Sequence, residues 1–510
     1  MSFAYDSDST SPVTEKISRS WLFCLVGFIA GALILGWDRN ILGGQWLLHS
    51  DDGLWISIMR RWCAGAKLYT DVWESKGPLF FLWLRPVCLV QQPAPYIIHW
   101  EMVLFWAPLL ILDGISTCLL AGFFKLGRVG AGLLGLLSVL ALWNGNMYQF
   151  FATEHLAAGF GLLALMCVLR NRRSGSRLMA LGAFLAVTAA LLVNWRSGAY
   201  MACLPFLKNL NARSLLKYAA VCLIFMASVL LITLGVDRDS YRWFFETLTY
   251  GHYYVPIAPW ALLKKVGDEL VVGRTGLIPV LFPYFDLNFW DRIPWLLDIL
   301  LLSVLFVFTR LFHAVGGLLR YSWVTSIVVL TFIYATGIPW DHTYALLLPF
   351  LVLWAACSLS LQRPAILIFV GLWCGAHLFE EVLPTKINVY AQEASSEALD
   401  YGRHDTESYS KMLAGRKWLS LLGNEIPPLV SPGVDLSVNR FFHNYCFVFP
   451  PWAEAQAMES LEHIPGLRVA LHTRLSEKGC ATSRIIAFAR QRCQSIGQPR
   501  PGLEFLECKR

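Results

Sequence analysis

Charge is scarce in this chain. Of its 510 residues only 15% are Asp, Glu, Lys or Arg, while 56% are hydrophobic and the mean hydropathy is +0.51. An ordinary water-soluble domain carries about a quarter charged residues, so that class is excluded. Several catalytic signatures are absent too. There is no Gly-rich loop ending in Lys-Ser or Lys-Thr, no Gly-x-Ser-x-Gly elbow and no His-Glu-x-x-His. Phosphate-loop ATPases, elbow hydrolases and zincins therefore have no anchor here. No Cys-x-x-Cys or His-rich spacing suggests a structural zinc, and there is no nucleic-acid-binding motif behind the formal charge of +7.

What is present is a series of apolar runs near the ~20 residues that a helix needs to cross a bilayer. The 21 Trp and 18 Tyr suit interfacial anchoring. The runs predict spans at 20–37, 97–124, 129–147, 155–169, 178–193, 197–210, 218–236, 294–310, 322–338, 343–361 and 364–381. Lys16 and Arg19, Lys125 and Arg128, the Arg170 to Arg177 cluster, Lys208, Arg213 and Lys217, Arg310 and Arg320, and Arg363 then fall on one side, which the positive-inside rule makes cytoplasmic. This alternation requires the short piece from Leu79 to Val90, punctuated by Pro78, Pro86, Pro93 and Pro95, to be a re-entrant or interfacial helix.

The expected organisation is an all-α polytopic membrane protein. A cytoplasmic segment (1–19) precedes a transmembrane domain (20–381) of about 11 helices. A first outer loop covers 38–96 and a second, strongly aromatic one covers 237–292. The first span reads as a retained signal anchor, because no small-residue cleavage site follows it. Beyond 381 the composition becomes that of a small extracytoplasmic α+β domain (382–510), with Tyr445 to Phe449 and Leu467 to Leu471 as candidate strands. Nine of the 13 Cys lie in or beside apolar runs and read as small free hydrophobes. Cys446, Cys480, Cys493 and Cys508 could form disulfides in an oxidising compartment.

The first outer loop gathers the most chemistry. Asp51 or Asp52 can cap a helix through Ala64, with Trp55, Ile58, Met59 and Trp62 on one face and Ser57, Arg60 and Arg61 on the other. Such a helix lies along the membrane surface, with Gly65 as its stop. Lys76-Gly77-Pro78 then turns the chain back towards the bilayer. Acids and a lysine at headgroup depth suit a reaction on a lipid-linked phosphate, in which the lysine neutralises phosphate oxygens and a carboxylate takes a proton from an acceptor hydroxyl. Capping by the aspartates and snorkelling by Lys76 are the structural alternatives.

These residues resemble a known family. The order Asp51-Asp52-Gly53, Gly65, Tyr69-x-Asp71-Val72-Trp73 and Lys76-Gly77-Pro78-Leu79 is similar to the first-loop signature of bacterial class C membrane glycosyltransferases. That group includes protein O-mannosyltransferases, the aminoarabinose lipid A transferase and lipopolysaccharide-core transferases. Thr153-Glu154-His155-Leu156 opening one span, and His342-x-Tyr344 before Leu348-Pro349 opening a late one, fit the same pattern.

The resemblance covers roughly residues 20–380 and implies Asp51, paired with Asp52, as general base of a single inverting displacement. It implies Lys76 as the residue holding a polyprenyl-phosphate sugar donor, and an acceptor that is a cell-envelope glycan or lipid on the outer face of a bacterial inner membrane. Gly77-Pro78 stands where Pro-Pro is commoner, and Ser75 separates Glu74 from Lys76, which argues against Glu74 as a metal ligand. The aspartate pair is compatible with Mg or Mn and does not require either.

Around this core, Arg196 is a candidate second phosphate contact or an interfacial anchor. Asp71, Glu154, His342 and Tyr344 are candidate substrate contacts. For Glu154 the alternative is a helix-dipole role, and for His342 and Tyr344 an aromatic belt. A lipid-linked saccharide flippase would instead place ionisable residues mid-span and show an internal repeat. A glycan ligase or polymerase would share the fold and differ in donor.

Overall fold

The computed structural model describes residues 19–38, 46–47, 50–72, 74, 76–90, 96–97, 99–142, 153–249, 322, 324–329, 345–382, 407–422, 433–435, 437–438, 451–472, 481–500 and 502–509. Its membrane part is built from α1 (Ser20–Asp38), α2 (Ser50–Cys63), α3 (Pro78–Leu84), α4 (His99–Phe123), α5 (Arg128–Leu142), α6 (Thr153–Ser174) and α7 (Arg177–Val193). A 3-10 segment (Trp195–Phe206), α8 (Ala212–Leu234), α9 (Arg238–Thr249), α10 (Leu348–Leu359) and α11 (Pro364–Val382) follow. Among the described residues three helices are long and apolar enough to cross a membrane: Trp106–Phe123, Thr153–Ser174 and Ala212–Leu234.

α6 is the buried centre of this group, and α8 its opposite. Seventeen side chains of α6 are buried, from Thr153 to Asn171. On α8, Leu216, Leu223, Ile224, Leu231 and Ile232 are all exposed. So wide an apolar face is stable only against lipid. α1 and α5 approach closely because they meet through glycines: a Cβ on Gly27 would overlap the Gly132 carbonyl, and one on Gly135 the Cys24 carbonyl. Without water to drive association, such backbone proximity is how membrane helices gain dispersion contact.

The predicted spans at 20–37, 97–124, 155–169, 178–193, 218–236 and 364–381 each coincide with a helix. The one at 129–147 is helical to Leu142, and the one at 343–361 over 345–359. The span at 294–310 and most of 322–338 lie outside the described residues. The span predicted at 197–210 is not an α-helix. Asn194 sits at the start of α6, donating to Glu154 Oε1 at 2.8 Å. At the other end Arg172 donates to the Phe206 carbonyl at 2.8 Å, and Lys208 N donates to Asn171 Oδ1 at 2.7 Å. The segment thus runs the length of α6. At about 2.0 Å per residue the 12 residues of the 3-10 form cover about 24 Å, for which an α-helix needs about 16 residues.

The basic loops among the described residues gather at one end, while Lys16, Arg310 and Arg320 lie outside those residues. Ser20 bonds the Leu126 carbonyl at 2.6 Å, Arg128 stacks on Phe23, Gly127 meets Gln362, and Arg173 lies over Phe123. The piece from Leu79 to Val90 is α3 followed by a 3-10 turn (Arg85–Leu89). It runs alongside α2: Phe80 packs edge-on against Trp55, and Cys88 is bonded to Cys63. That disulfide corrects the expectation of free thiols at Cys63 and Cys88. Strands β1 (Trp46–Leu47) and β2 (Tyr96–Ile97) pair antiparallel and close the first loop at its base.

The C-terminal part holds a four-stranded sheet of order β3-β4-β6-β5, with β3 (Trp418–Leu421), β4 (Arg468–His472), β5 (Cys493–Arg500) and β6 (Leu503–Cys508). β3 and β4 are parallel and the other pairs antiparallel. Helices α12 (Pro451–His463) and α13 (Ala481–Arg492) accompany it, and Cys493 is bonded to Cys508. Of the two candidate strands, Leu467 to Leu471 is β4 shifted by one residue, while Tyr445 to Phe449, Cys446 and Cys480 lie outside the described residues. Residues 433–438 run beside β3, where Val438 N reaches the Trp418 carbonyl at 2.8 Å.

Candidate active site

The end of the bundle opposite the basic loops collects the residues singled out above. α2 begins one residue before the aspartates, so Asp51 and Asp52 occupy its first turn and do not cap it from outside. Helical spacing sets both within one turn of Trp55; their side chains lie outside the described residues. The Lys76 ammonium lies over the Trp55 ring, 5.5 Å from its centre.

α2 is buried on both faces, which corrects the expectation of a polar face open to water. Trp55, Ile58 and Met59 are fully buried, and so is Ser57. Arg60 reaches Glu101 at the start of α4 through two bonds, Nε to Oε1 at 2.7 Å and Nη2 to Oε2 at 2.5 Å. Arg61 donates to the Val434 carbonyl at 2.9 Å. Burial lowers the Arg61 pKa from its ordinary value, and the nearby Asp435 carboxylate opposes that shift.

Lys76 is held by its backbone from two directions. The Tyr69 hydroxyl donates to its carbonyl at 2.5 Å. Gly77 N donates to the Val193 carbonyl at 2.9 Å, at the end of α7. A Cβ on Gly77 would overlap the Leu192 carbonyl oxygen, so the loop lies on α7 only because residue 77 is glycine. The absence of a side chain at position 77 is what allows this contact with α7.

Three residues beyond Val193 the chain presents Arg196. Asn194 organises this corner: its amide donates to Glu154 Oε1 at 2.8 Å and Thr153 Oγ1 at 3.1 Å, and its carbonyl oxygen accepts from Arg196 N at 3.0 Å. Thr153 in turn donates to Glu154 Oε2 at 3.0 Å. Both oxygens of the buried Glu154 carboxylate therefore accept from neutral donors. Arg196 is 7% exposed, with its guanidinium over the Trp195 ring, and no carboxylate among the described residues pairs with it. Asn194 was missed by sequence reasoning; its place between a helix end and an arginine was the available signal.

Asp71 does a different job. Its Oδ2 accepts from Lys67 N at 2.7 Å and closes the turn that carries Tyr69. Tyr69 is fully buried, and burial first, then the Glu74 carboxylate, push its hydroxyl well above the ordinary range, so it remains a donor. Glu74 is buried beside it. His342 and Tyr344 lie outside the described residues, but Leu348-Pro349 does open a helix, α10. No group of three or more His, Cys, Asp or Glu among the described residues is disposed to hold a metal ion.

Known structures include one of the same shape. ArnT from Cupriavidus metallidurans bound to undecaprenyl phosphate superposes with a TM-score of 0.54, covering 96% of this chain and 98% of that one at 10% identity. The chain has the fold of ArnT. The resemblance of the first-loop residues and this superposition agree on the fold. No protein-family model matches the sequence, and no curated protein does. At 10% identity the fold is shared while nearly every side chain differs, so function has to be argued from the site.

Proposed function

We propose that the protein is a membrane glycosyltransferase that moves one sugar from a polyprenyl-phosphate donor to a cell-envelope glycan or lipid acceptor, with inversion. The observation that carries this reading is Arg196. It is a buried guanidinium without a carboxylate partner among the described residues, on the same end of the bundle as Lys76. Burying an uncompensated charge costs several kcal/mol, and an anionic ligand removes that cost. The ArnT relative of the same fold was solved with a polyprenyl phosphate, which is an anion of this kind.

Lys76 and Arg196 would hold the donor phosphate, Lys76 as a point charge and Arg196 through its planar fork. Asp51, beside Asp52 on the first turn of α2, would take the proton of the acceptor hydroxyl as it attacks the anomeric carbon. Glu154, fixed by Asn194 and Thr153, would line the substrate space. Asp71 would contribute indirectly, by shaping the turn before Lys76, and His342 and Tyr344 from the start of the late helix. A Mg or Mn ion, if used, would take its oxygen ligands from the aspartate pair and the phosphate. The two disulfides favour an oxidising compartment for this face and for the C-terminal part. The basic end is then cytoplasmic in a bacterial inner membrane.

The test is sugar transfer. Protein in lipid nanodiscs, supplied with polyprenyl-phosphate sugars labelled in the sugar and with an envelope extract, should move label to acceptor and release polyprenyl phosphate. Movement of intact lipid-linked saccharide across vesicles without bond cleavage would make it a flippase and overturn the reading.

A further inference from the structure

We infer that Tyr69 is a positioning residue for Lys76, and that α9 seats it from the opposite side. The inference rests on the reading of Lys76 as the donor-phosphate lysine. Tyr69 has a φ of +67°, a left-handed conformation that only a few per cent of non-glycine residues adopt. Such a backbone persists where its surroundings over-determine it, and here they do. Tyr69 N bonds the Val72 carbonyl at 2.8 Å, and Asp71 closes the turn from the other side. The conformation drives the ring inward, between Phe81 on α3 and Phe244 on α9, both edge-on. Its hydroxyl ends on the Lys76 carbonyl at 2.5 Å.

α9 is fastened to the same turn by polar contacts on either side of Tyr69. Thr70 Oγ1 lies 2.7 Å from Ser240 Oγ, which donates to Asp237 Oδ2 at 2.9 Å. The Lys67 ammonium is 3.4 Å from the same carboxylate oxygen. The Asp237 carboxyl is held below its ordinary range, first by the Ser240 hydroxyl and then by Lys67. The contacts alternate along the chain. Lys67 and Thr70 grip the start of α9, and Tyr69 between them presses Phe244 with its ring and Lys76 with its hydroxyl.

With Gly77 anchored on α7, the Lys76 backbone is thus held on one side by α7 and on the other by Tyr69, whose ring packs on α9. Fixing the backbone of a long flexible lysine lowers the entropy lost when its ammonium meets a phosphate.

Binding of undecaprenyl phosphate to protein in nanodiscs tests this. Tyr69→Phe keeps the ring and deletes the hydroxyl, so its dissociation constant should rise roughly two- to tenfold, the range of one net hydrogen bond. Donor KM should rise more than kcat falls, and the melting temperature should stay within a few degrees of the parent. Phe244→Ala, on the far side of the ring, should weaken binding by a similar factor. The double variant should lose less than the product of the two, because both act on one contact chain.

Lys76→Ala sets the scale and should lose the most. If it weakens binding while Tyr69→Phe and Phe244→Ala bind like the parent, the positioning role is wrong and the donor site stands. If Lys76→Ala also binds like the parent, both fall.

Discussion

Asp51→Asn is expected to lower sugar transfer by about 10²–10⁴-fold, the usual worth of a positioned general base, while leaving polyprenyl-phosphate binding within about twofold. Asn has the shape of Asp and cannot take a proton. The expectation rests on the position of residue 51, in the first turn of α2 and one turn before Trp55, over whose ring the Lys76 ammonium sits. Single-turnover transfer with pre-bound donor separates the chemical step from binding. Asp52→Asn in the same assay identifies which member of the pair is the base. Unchanged turnover in Asp51→Asn would remove Asp51 from that role.

The largest effect on stability should come from the Arg60 and Glu101 pair. The pair is 9% and 0% exposed and joined by two charge-assisted bonds. Glu101→Leu takes both of these bonds from the buried Arg60 guanidinium, and removing one partner of a buried pair typically costs about 3–5 kcal/mol. Because the pair ties α2 to the start of α4, the loss should appear both in thermal unfolding and in the seating of the helix that carries Asp51.

Arg60→Met together with Glu101→Leu removes both charges and should recover much of the stability, since a desolvated pair gains little over apolar packing. Stability with activity still depressed in the double variant would mean that the pair also orients α2. If Glu101→Leu melts like the parent, the pair does not hold α2 in place.

The sequence revealed what depends on local pattern. Apolar length marked the crossing helices, and Thr153-Glu154 did mark the start of α6. Basic loops correctly grouped one end of the bundle. The residues around Lys76 named the fold before any coordinates, because a lysine, a turn and a proline-led helix in that order make a specific string.

What stayed hidden depends on distant partners. Arg60 looked solvated because Glu101 is 41 positions away, and Cys63 looked like a free thiol because Cys88 is 25 positions on. The 3-10 segment beside α6 could not be told from an α-helix, because an apolar run shows length and not backbone form. Tyr69 looked like part of a string; only its left-handed backbone and the Lys76 carbonyl gave it a task.

The central claim is that the end of the bundle holding Lys76, Glu154, Asn194 and Arg196 receives the phosphate of a polyprenyl lipid. The most direct measurement is photo-crosslinking with a polyprenyl phosphate carrying a diazirine on the isoprene next to the phosphate, followed by mass-spectrometric mapping of labelled peptides. Label in residues 69–81 and 194–206, suppressed by excess unlabelled polyprenyl phosphate, is the expected result. Label confined to the basic end, at residues 125–128, 171–177 and 362–363, would place the phosphate on the opposite side of the protein and contradict the account.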